Sequence, residues 1–357
     1  MSHKRIDELR TQCRKQNLDG VIVTHLDHVR YLTGYTGSNG LLALTATTSD
    51  FLTDSRYTVQ ARQEVKGAKV TVVTTGLIDS LKNLTTLVGK NRRFGFNAEY
   101  LTVANRSRLQ KSLPEALIVP ADSLFTELGW VKDSEEIGNI RRAVAISDEA
   151  FRRVLPLIKP GIRESELAAE LEYQMLMIGS EKPAFETIVA SGPRSAMPHG
   201  VASRRKLKAG EFVTFDFGAT VNGYVSDITR TIVVGKASPK HKRIYNCVLQ
   251  AQLAGIRKIR PGVKGSDVDK VCRTIINRSG HGKTFGHGTG HGIGYFIHVG
   301  PRLSSISTDK LLPGNVVTVE PGIYITGFGG VRIEDDVLVT SKGGEVLNRA
   351  EKKLLEL

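Results

Sequence analysis

Gly286-His287-Gly288-Thr289-Gly290-His291-Gly292-Ile293-Gly294 opens a stretch, Phe285 to Glu334, around which the rest of the chain can be read. It continues through His298 to Val319-Glu320-Pro321-Gly322 and closes on Gly330-Val331-Arg332-Ile333-Glu334-Asp335-Asp336. Four of the nine histidines of the chain lie between His281 and His298. Five glycines in nine residues allow positive φ and a close pass of the backbone to another group. Histidines on such a loop, followed by two glutamates set in apolar runs, predict a metal site.

Upstream, two aspartates complete the donor set. Phe212-Val213-Thr214-Phe215-Asp216-Phe217-Gly218 alternates like a strand, Asn222-Gly223 is a strong hairpin signal, and Tyr224–Val234 returns. A two-residue loop places 221 opposite 224 and 216 opposite 229, with Asp227 on the face of Asp216. Diagonal partners stand roughly 7–8 Å apart, within reach of a metal pair about 3.5–4 Å apart. In the second half, Glu320 follows the strand Val316–Val319, and Glu334 ends a strand after the turn Gly327–Gly330. Four carboxylates and the His291 imidazole make an oxygen-rich set with one nitrogen, suited to Mn²⁺, Co²⁺ or Zn²⁺. Two metals bridged by carboxylates would acidify a shared water. Such carboxylates, buried in apolar surroundings, cost several kcal/mol each unless paired or metal-bound.

An internal repeat links the two acid pairs. Ile158-Lys159-Pro160-Gly161-Ile162-Arg163-Glu164-Ser165-Glu166-Leu167 matches Ile259-Arg260-Pro261-Gly262-Val263-Lys264-Gly265-Ser266-Asp267-Val268 at an offset of 101 residues. In both copies a helix ends, a Pro-Gly turn intervenes and a second helix begins. Strands bearing two acids follow. Two copies of helix–turn–helix–strands predict a pseudo-twofold domain with its site between the halves.

The N-terminal part alternates helices and strands. Residues 5–17 have helical spacing, and Gly20–Thr24, Leu41–Leu44, Phe51-Leu52, Val70–Val73, the region of Phe94 and Leu117–Val119 read as strands. Helices are expected over Arg56–Val65, Leu77–Val88 and Val103–Leu113. The result is a small α/β domain with a mixed sheet. A linker is expected over Ala121–Lys132, giving domains 1–124 and 125–357. Asp133-Ser134-Glu135-Glu136 then caps a long helix.

Composition sets outer bounds. The hydrophobic fraction is 40% and the charged fraction 24%, ordinary for a globular chain. No apolar run reaches the roughly 18 residues of a membrane span, and no signal-peptide core follows Met1-Ser2-His3-Lys4-Arg5, so the expected compartment is the cytoplasm with no membrane partner. Cys13, Cys247 and Cys272 are too few and too scattered for a disulfide framework or a thiolate zinc site. The net charge of +14 raises the question of nucleic acid. The basic residues are scattered and not interleaved with aromatics, so no nucleic-acid partner is expected.

Taken together, Met197-Pro198-His199-Gly200, Asp216 with Asp227, Gly290–Gly294, His298, Glu320-Pro321-Gly322 and Arg332-Ile333-Glu334 occur in the order of the pita-bread metallopeptidases. That family includes methionine aminopeptidase, prolidase and aminopeptidase P. Tyr31-Leu32-Thr33-Gly34-Tyr35-Thr36-Gly37 and Thr53-Asp54-Ser55-Arg56-Tyr57 resemble the creatinase-like N-terminal domain of its proline-directed members. The resemblance covers the whole chain. It implies an α/β (α+β) protein with a creatinase-like N-terminal domain and a C-terminal pseudo-twofold pita-bread catalytic domain.

The resemblance also assigns roles. Asp216, Asp227, His291, Glu320 and Glu334 would hold two divalent metals, with Mn²⁺ the first choice and Co²⁺ or Zn²⁺ the alternatives. Glu320 would double as the acid/base group, His298 would hydrogen-bond the scissile carbonyl, and His199 would shuttle a proton near the leaving nitrogen. His287 would line the substrate pocket and Arg332 would support the site. Phe185 and Tyr224 stand where a proline pocket is expected. One departure is Val299, where the family often has a glutamate that would support His298. The N-terminal signature is closer to short bacterial aminopeptidase P, so the expected activity is that of a metal-dependent Xaa-Pro aminopeptidase, which would remove a residue preceding proline from proline-containing peptides. Arg302, four residues after His298, hints instead at a dipeptide-cleaving prolidase that reads a free carboxylate. A catalytically dead binding module would typically have lost ligands, which this sequence keeps. Homodimers are common among such proteins.

Overall fold

The computed structural model describes residues 2–357. Its contacts fall into two compact units, one ending at Leu128 and the other spanning Gly129–Leu357. The division lies a little past the expected 124/125. Part of the expected linker is itself folded: Ser123–Thr126 is helical, and Leu124 and Phe125 are buried, with the Phe125 ring 4.7 Å from that of His28. Two adjacent large apolar side chains gain more by packing than by solvation.

The first unit is built on a six-stranded mixed sheet. Its order is Lys69–Val73, Ser49–Asp54, Leu41–Thr45, Gly20–Val23, Arg93–Phe96, Leu117–Pro120. The central strands are buried along their whole length, so they read as apolar runs and not as alternation. Ile22, Leu41, Leu52, Phe94 and Ile118 form the core on one face. The helix expected over Leu77–Val88 shrinks to a 3-10 turn, Asp79–Asn83. Thr85, Thr86 and Val88 are β-branched and Gly89 follows, all poor helix formers; Leu81 is buried from the 3-10 turn and Leu87 from the irregular chain beyond it. The two N-terminal signatures meet here. Tyr35 Oη and Thr53 Oγ1 both donate to Asn39 O, while Asp54 accepts from Asn39 Nδ2 and from Arg56 through its backbone and guanidinium.

In the second unit the helix Ser134–Val154 begins with the expected cap: Asp133 Oδ1 accepts from the N–H groups of Glu135 and Glu136, and Glu136 returns the bond to Asp133. The repeat is a repeat in three dimensions. Gly161 N–H donates to Leu207 O and Leu207 N–H to Ile162 O, both at 2.9 Å. One copy later, Gly262 N–H donates to Leu311 O at 2.7 Å and Leu311 N–H to Val263 O at 2.9 Å. Arg163 and Lys264 make matching antiparallel bridges, to Lys206 and Lys310. The second helices of the pairs are Glu164–Ile178 and Gly265–Arg278.

Each half then supplies an interrupted hairpin. In the first, Glu211–Phe217 pairs with Ile228–Val234, with Asp216 opposite Thr229 as the two-residue turn predicts. The same register resumes at Val221 opposite Tyr224, closed by Asn222 and Gly223 at φ 50° and 80°. In the second, Val316–Val319 pairs with Asp335–Val339 and Gly322–Ile325 with Gly329–Arg332. Glu320 and Glu334 sit in the break between those two ladders. The halves are stitched along one seam: Thr231 Oγ1 donates to Arg332 O at 2.9 Å, and Glu334 N–H to Thr229 O at 3.1 Å. No described helix is long and apolar enough to cross a membrane.

The C-terminal residues close the back of this seam. Val233 N–H donates to Leu355 O and Leu357 N–H to Val233 O, both at 3.0 Å. Arg230, 1% exposed, joins the tail to the seam. Its guanidinium donates to the carbonyls of Thr229, Glu334, Ala350 and Glu351 and pairs with Asp335 at 2.8 Å. Removing one partner of a buried ion pair costs about 3–5 kcal/mol, and Lys cannot reproduce the planar fork. Arg230→Ala is expected to lower unfolding free energy by that amount, with Arg230→Lys recovering little. Urea unfolding checks this; a loss below about 1 kcal/mol would reduce Arg230 to a replaceable contact.

Candidate metal centre

Four carboxylates and an imidazole converge at the seam. Asp227, His291 and Glu334 present ligand atoms all within 4.8 Å of one another. His291 Nε2 lies 3.6 Å from Asp227 Oδ2 and 3.5 Å from Glu320 Oε1. Asp216 reaches in from its strand, 9% exposed, with Oδ2 accepting from Arg332 Nη2 at 2.5 Å. Its buried Oδ1 accepts no hydrogen bond among the described residues.

Local chain geometry explains how the side chains arrive. Asp227 and Glu334 are placed where the ladders break, and their backbone N–H groups leave the hairpins: Asp227 N–H donates to Asp336 Oδ2 at 3.0 Å, and Glu334 N–H crosses to Thr229 O. Glu320 N–H donates to Thr289 O at 2.8 Å, on the histidine loop. That loop's glycines supply room and not positive φ. Among the described residues none of those between 286 and 294 has positive φ, whereas a Cβ at Gly290 would stand 2.1 Å from Thr318 O and one at Gly292 2.2 Å from Gly300 O. Hydroxyls steady the acids. Thr229 Oγ1 donates to Glu334 Oε2 at 2.6 Å, and Thr318 Oγ1 donates to Glu320 Oε1 at 3.2 Å.

The electrostatics are those of a cation site. Burial raises the Asp227 pKa well above the usual carboxylate range, and Glu334, Asp216, Asp336 and Glu320 raise it further. Glu334 is raised by burial and then by Glu320 and Asp216, against Arg332 and Thr229. Glu320 is raised by burial, against His287 and Arg332. His291 is kept neutral by burial. Its Nδ1–H donates to Gly292 O at 3.1 Å, which leaves the Nε2 lone pair facing the acids, the tautomer of a metal ligand. Donor types, an unpartnered buried oxygen and a correctly presented imidazole together fit a pair of divalent cations.

Around this centre stands a chain of hydrogen bonds. Arg332 Nη1 donates to Tyr324 Oη at 3.1 Å and to Pro198 O at 3.0 Å, and Arg332 Nε to Thr229 Oγ1 at 2.9 Å. His287 Nδ1 lies 2.8 Å from Gly288 O, so it carries the proton and Nε2 accepts from Tyr324 Oη at 2.8 Å. Both nitrogens of His287 are therefore committed to protein groups, and only its ring surface is left for a substrate. Arg332 is bound to Asp216 and not to Asp335 or Asp336; Asp335 has Arg230 and Lys352 instead. His298 and His199 are exposed at the rim. Partial burial, followed by the charges of His291, Arg302 and His199, pushes His298 down to about 4.

Two expected pocket residues part company. Phe185 is half-buried before the strand Ile188–Ser191. Tyr224 is a core residue, 4% exposed among Ile140, Val144 and Ile293, with its hydroxyl donating to Glu136 at 2.8 Å and its ring 5.3 Å from Tyr295. The Tyr224 side chain fills the joint between the hairpin tip and the capped helix. Val299 pairs with Gly292 in the sheet. Arg302 is exposed, its backbone N–H held by Asp309 Oδ2 at 2.9 Å. Tyr324, Thr229, Thr318 and Asp336 were not predicted; no spacing rule links them to the ligands, although Tyr324 follows Glu320-Pro321-Gly322 closely.

Comparison with known proteins agrees with this geometry. Residues 138–341 match the model of metallopeptidase family M24, and residues 5–128 that of the creatinase/prolidase N-terminal domain. The chain belongs to the M24 metallopeptidases. It is 41% identical to an Xaa-Pro dipeptidase from Bacillus anthracis, with a TM-score of 0.96 and all of both chains covered. An Xaa-Pro dipeptidase of Pyrococcus horikoshii is 36% identical over 346 residues, 96% of this chain and 95% of its own. An X-Pro aminopeptidase from Thermotoga maritima is 35% identical, with a TM-score of 0.89 and 99% of each chain covered. The M24 peptidase has the fold of prolidase structures, with divalent metals typical of its family.

A metal-free centre of raised carboxyl groups holds protons that the unfolded chain, with carboxyl pKa values near 4, has released. Its stability therefore falls as pH rises from about 4 through the raised values. Added Mn²⁺ is expected to raise Tm more at about pH 8 than at about pH 5.5. Asp227→Asn is expected to raise the Tm of chelator-treated protein and to abolish the Mn²⁺ response. Calorimetry with EDTA or Mn²⁺ checks both; a full Mn²⁺ response in the variant would remove Asp227 from the ligand set.

Proposed function

We propose that the protein is a dinuclear Mn²⁺-dependent Xaa-Pro dipeptidase, hydrolysing the bond between a first residue and a terminal proline. The observation that carries the choice is Arg302. It is exposed beside the histidine rim, its positive charge bears on both His291 and His298, and its guanidinium enters no ion pair among the described residues. An unengaged guanidinium at that place suits the free carboxylate of a dipeptide. The names of the B. anthracis and P. horikoshii relatives support this reading. The aminopeptidase reading, to which the N-terminal signature points, keeps the T. maritima relative in its favour.

In this reading Asp216, Asp227, His291, Glu320 and Glu334 hold the two metals. When bound, the pair supplies an activated water and polarises the scissile carbonyl. Glu320 takes the proton of the attacking water and carries it to the proline nitrogen as the C–N bond breaks. The neutral His298 ring donates an N–H to the carbonyl oxygen as charge develops there. His199 serves the leaving proline, Phe185 lies against its ring, and Arg332 holds Asp216 in its orientation. The products are a free amino acid and free proline.

Loss of a hydrogen bond to a charged group costs about 1.5–3 kcal/mol, roughly tenfold to a hundredfold. Mn²⁺-loaded protein is expected to cleave an Xaa-Pro dipeptide in preference to an Xaa-Pro-Yaa tripeptide, and Arg302→Ala to raise KM for the dipeptide by that factor with kcat little changed. Product analysis by chromatography checks both. Preferential release of the first residue from the tripeptide would make the protein an aminopeptidase and leave Arg302 a surface residue.

A further inference from the structure

The loop that carries His199 is held at both ends by one buried carboxylate that no metal or substrate role claims. Glu164 opens the helix Glu164–Ile178 with its side chain 0% exposed. Oε1 accepts from Ser191 N–H and Ser191 Oγ, both at 2.7 Å. Oε2 accepts from Arg194 Nε and Ser203 N–H at 3.0 Å and from Ser203 Oγ at 2.5 Å. Five hydrogen bonds, with the helix N-terminus behind them, satisfy both carboxylate oxygens in a dry place.

Ser191 and Ser203 bracket Met197-Pro198-His199-Gly200. Arg194, fastened by Glu164, also donates to Val201 O, two residues past His199. From the other side, Arg332 holds Pro198 O, and Ser195 Oγ accepts from Gly330 N–H at 2.8 Å. The His199 ring stands exposed on a loop fixed on both sides of it.

The second half does the same work differently. At the position matching Glu164 stands Gly265, where a Cβ would lie 1.9 Å from Arg302 O. The carboxylate moves one turn along the helix, to Asp269. Its Oδ1 accepts from Thr289 N–H and Thr289 Oγ1 at 3.2 and 3.0 Å, and its partner Arg273 donates to Phe285 O and His287 O. In both halves a buried acid on the second helix pins the loop that presents histidines to the centre.

We infer that Glu164 is the positioning residue for His199, setting the imidazole against the leaving proline by tying the ends of its loop. The inference deepens the hydrolase reading and rests on it for the identity of the leaving group. Glu164→Gln keeps the shape but turns an amide N–H₂ toward donors, so it breaks part of the clamp.

The test is a double-mutant cycle with His199→Ala on whichever Xaa-Pro peptide the wild type cleaves, joined to imidazole NMR of the wild-type and Glu164→Gln proteins freed of paramagnetic Mn²⁺ by chelator. Glu164→Gln is expected to lower kcat about tenfold or more with KM and bound Mn²⁺ nearly unchanged. In the His199→Ala background its further effect is expected to be under about twofold. The His199 ring resonances are expected to shift while those of His281 do not. Equal losses in both backgrounds would overturn the inference, as would His199 resonances indifferent to Glu164→Gln. Should Glu164→Gln fail to fold, Ser203→Ala removes one donor and is read by the same criteria, with a smaller loss. Failure of the function reading shows separately, as a wild type that cleaves neither peptide, and the NMR arm still decides the hold on His199.

Discussion

Four carboxylates crowded into one dry space are the constraint on which the second unit depends. Asp216, Asp227, Glu320 and Glu334 repel one another, and burial denies them water. Left uncompensated, such charges cost several kcal/mol each. The chain offsets part of that cost by itself, with Arg332 on Asp216, Thr229 on Glu334 and Thr318 on Glu320. What remains unsatisfied, most plainly Asp216 Oδ1, has no hydrogen-bond partner among the described residues.

Regular ladders could not bring these groups to one point. Alternation sends successive side chains to opposite faces, so a hairpin in unbroken register presents its acids in rows. Each hairpin is instead interrupted, and the backbone groups released at the break bond elsewhere: Asp227 to Asp336 and Glu334 to Thr229 across the seam, and Glu320 to Thr289 on the histidine loop. The interruptions that aim the ligands thus also join the halves. Arg230 and the C-terminal residues back the seam on its other side, so Glu334 is gripped through its carboxylate and through its own carbonyl.

Much of this was legible because it is local. The Asn222-Gly223 turn fixes the 216–229 register, the Asp133/Glu136 cap fixes a helix start, and the Pro-Gly repeat announces two halves. What escaped depends on partners distant in sequence. Tyr224 looks like a pocket aromatic until Glu136 is seen to take its hydroxyl. Arg332 has three acids within four residues yet pairs with Asp216, because the seam brings the other hairpin under it. The segment 77–88 has apolar residues for a helix and too many β-branched ones to form it. The choice between a dipeptidase and an aminopeptidase was least legible of all, since it turns on one exposed arginine and not on the ligand set that the sequence displays so openly.

The repeat explains why that arginine stands where it does. Where the first half has Glu164, the second has Gly265, and the missing side chain is what admits the Arg302 backbone to within a Cβ's reach of the helix. An acid at 265 would push the strand Val299–Leu303 away and carry Arg302 with it. The acid needed to hold the neighbouring histidine loop is therefore displaced to Asp269, one turn further on, where it can reach Thr289 without touching the strand. Two copies of one supersecondary unit meet the same demand, a pinned histidine loop, under different steric limits. The first half keeps its carboxylate at the helix start, where it bonds the end of the strand Ile188–Ser191; the half that must also seat Arg302 gives up that position and pins its loop from the next turn.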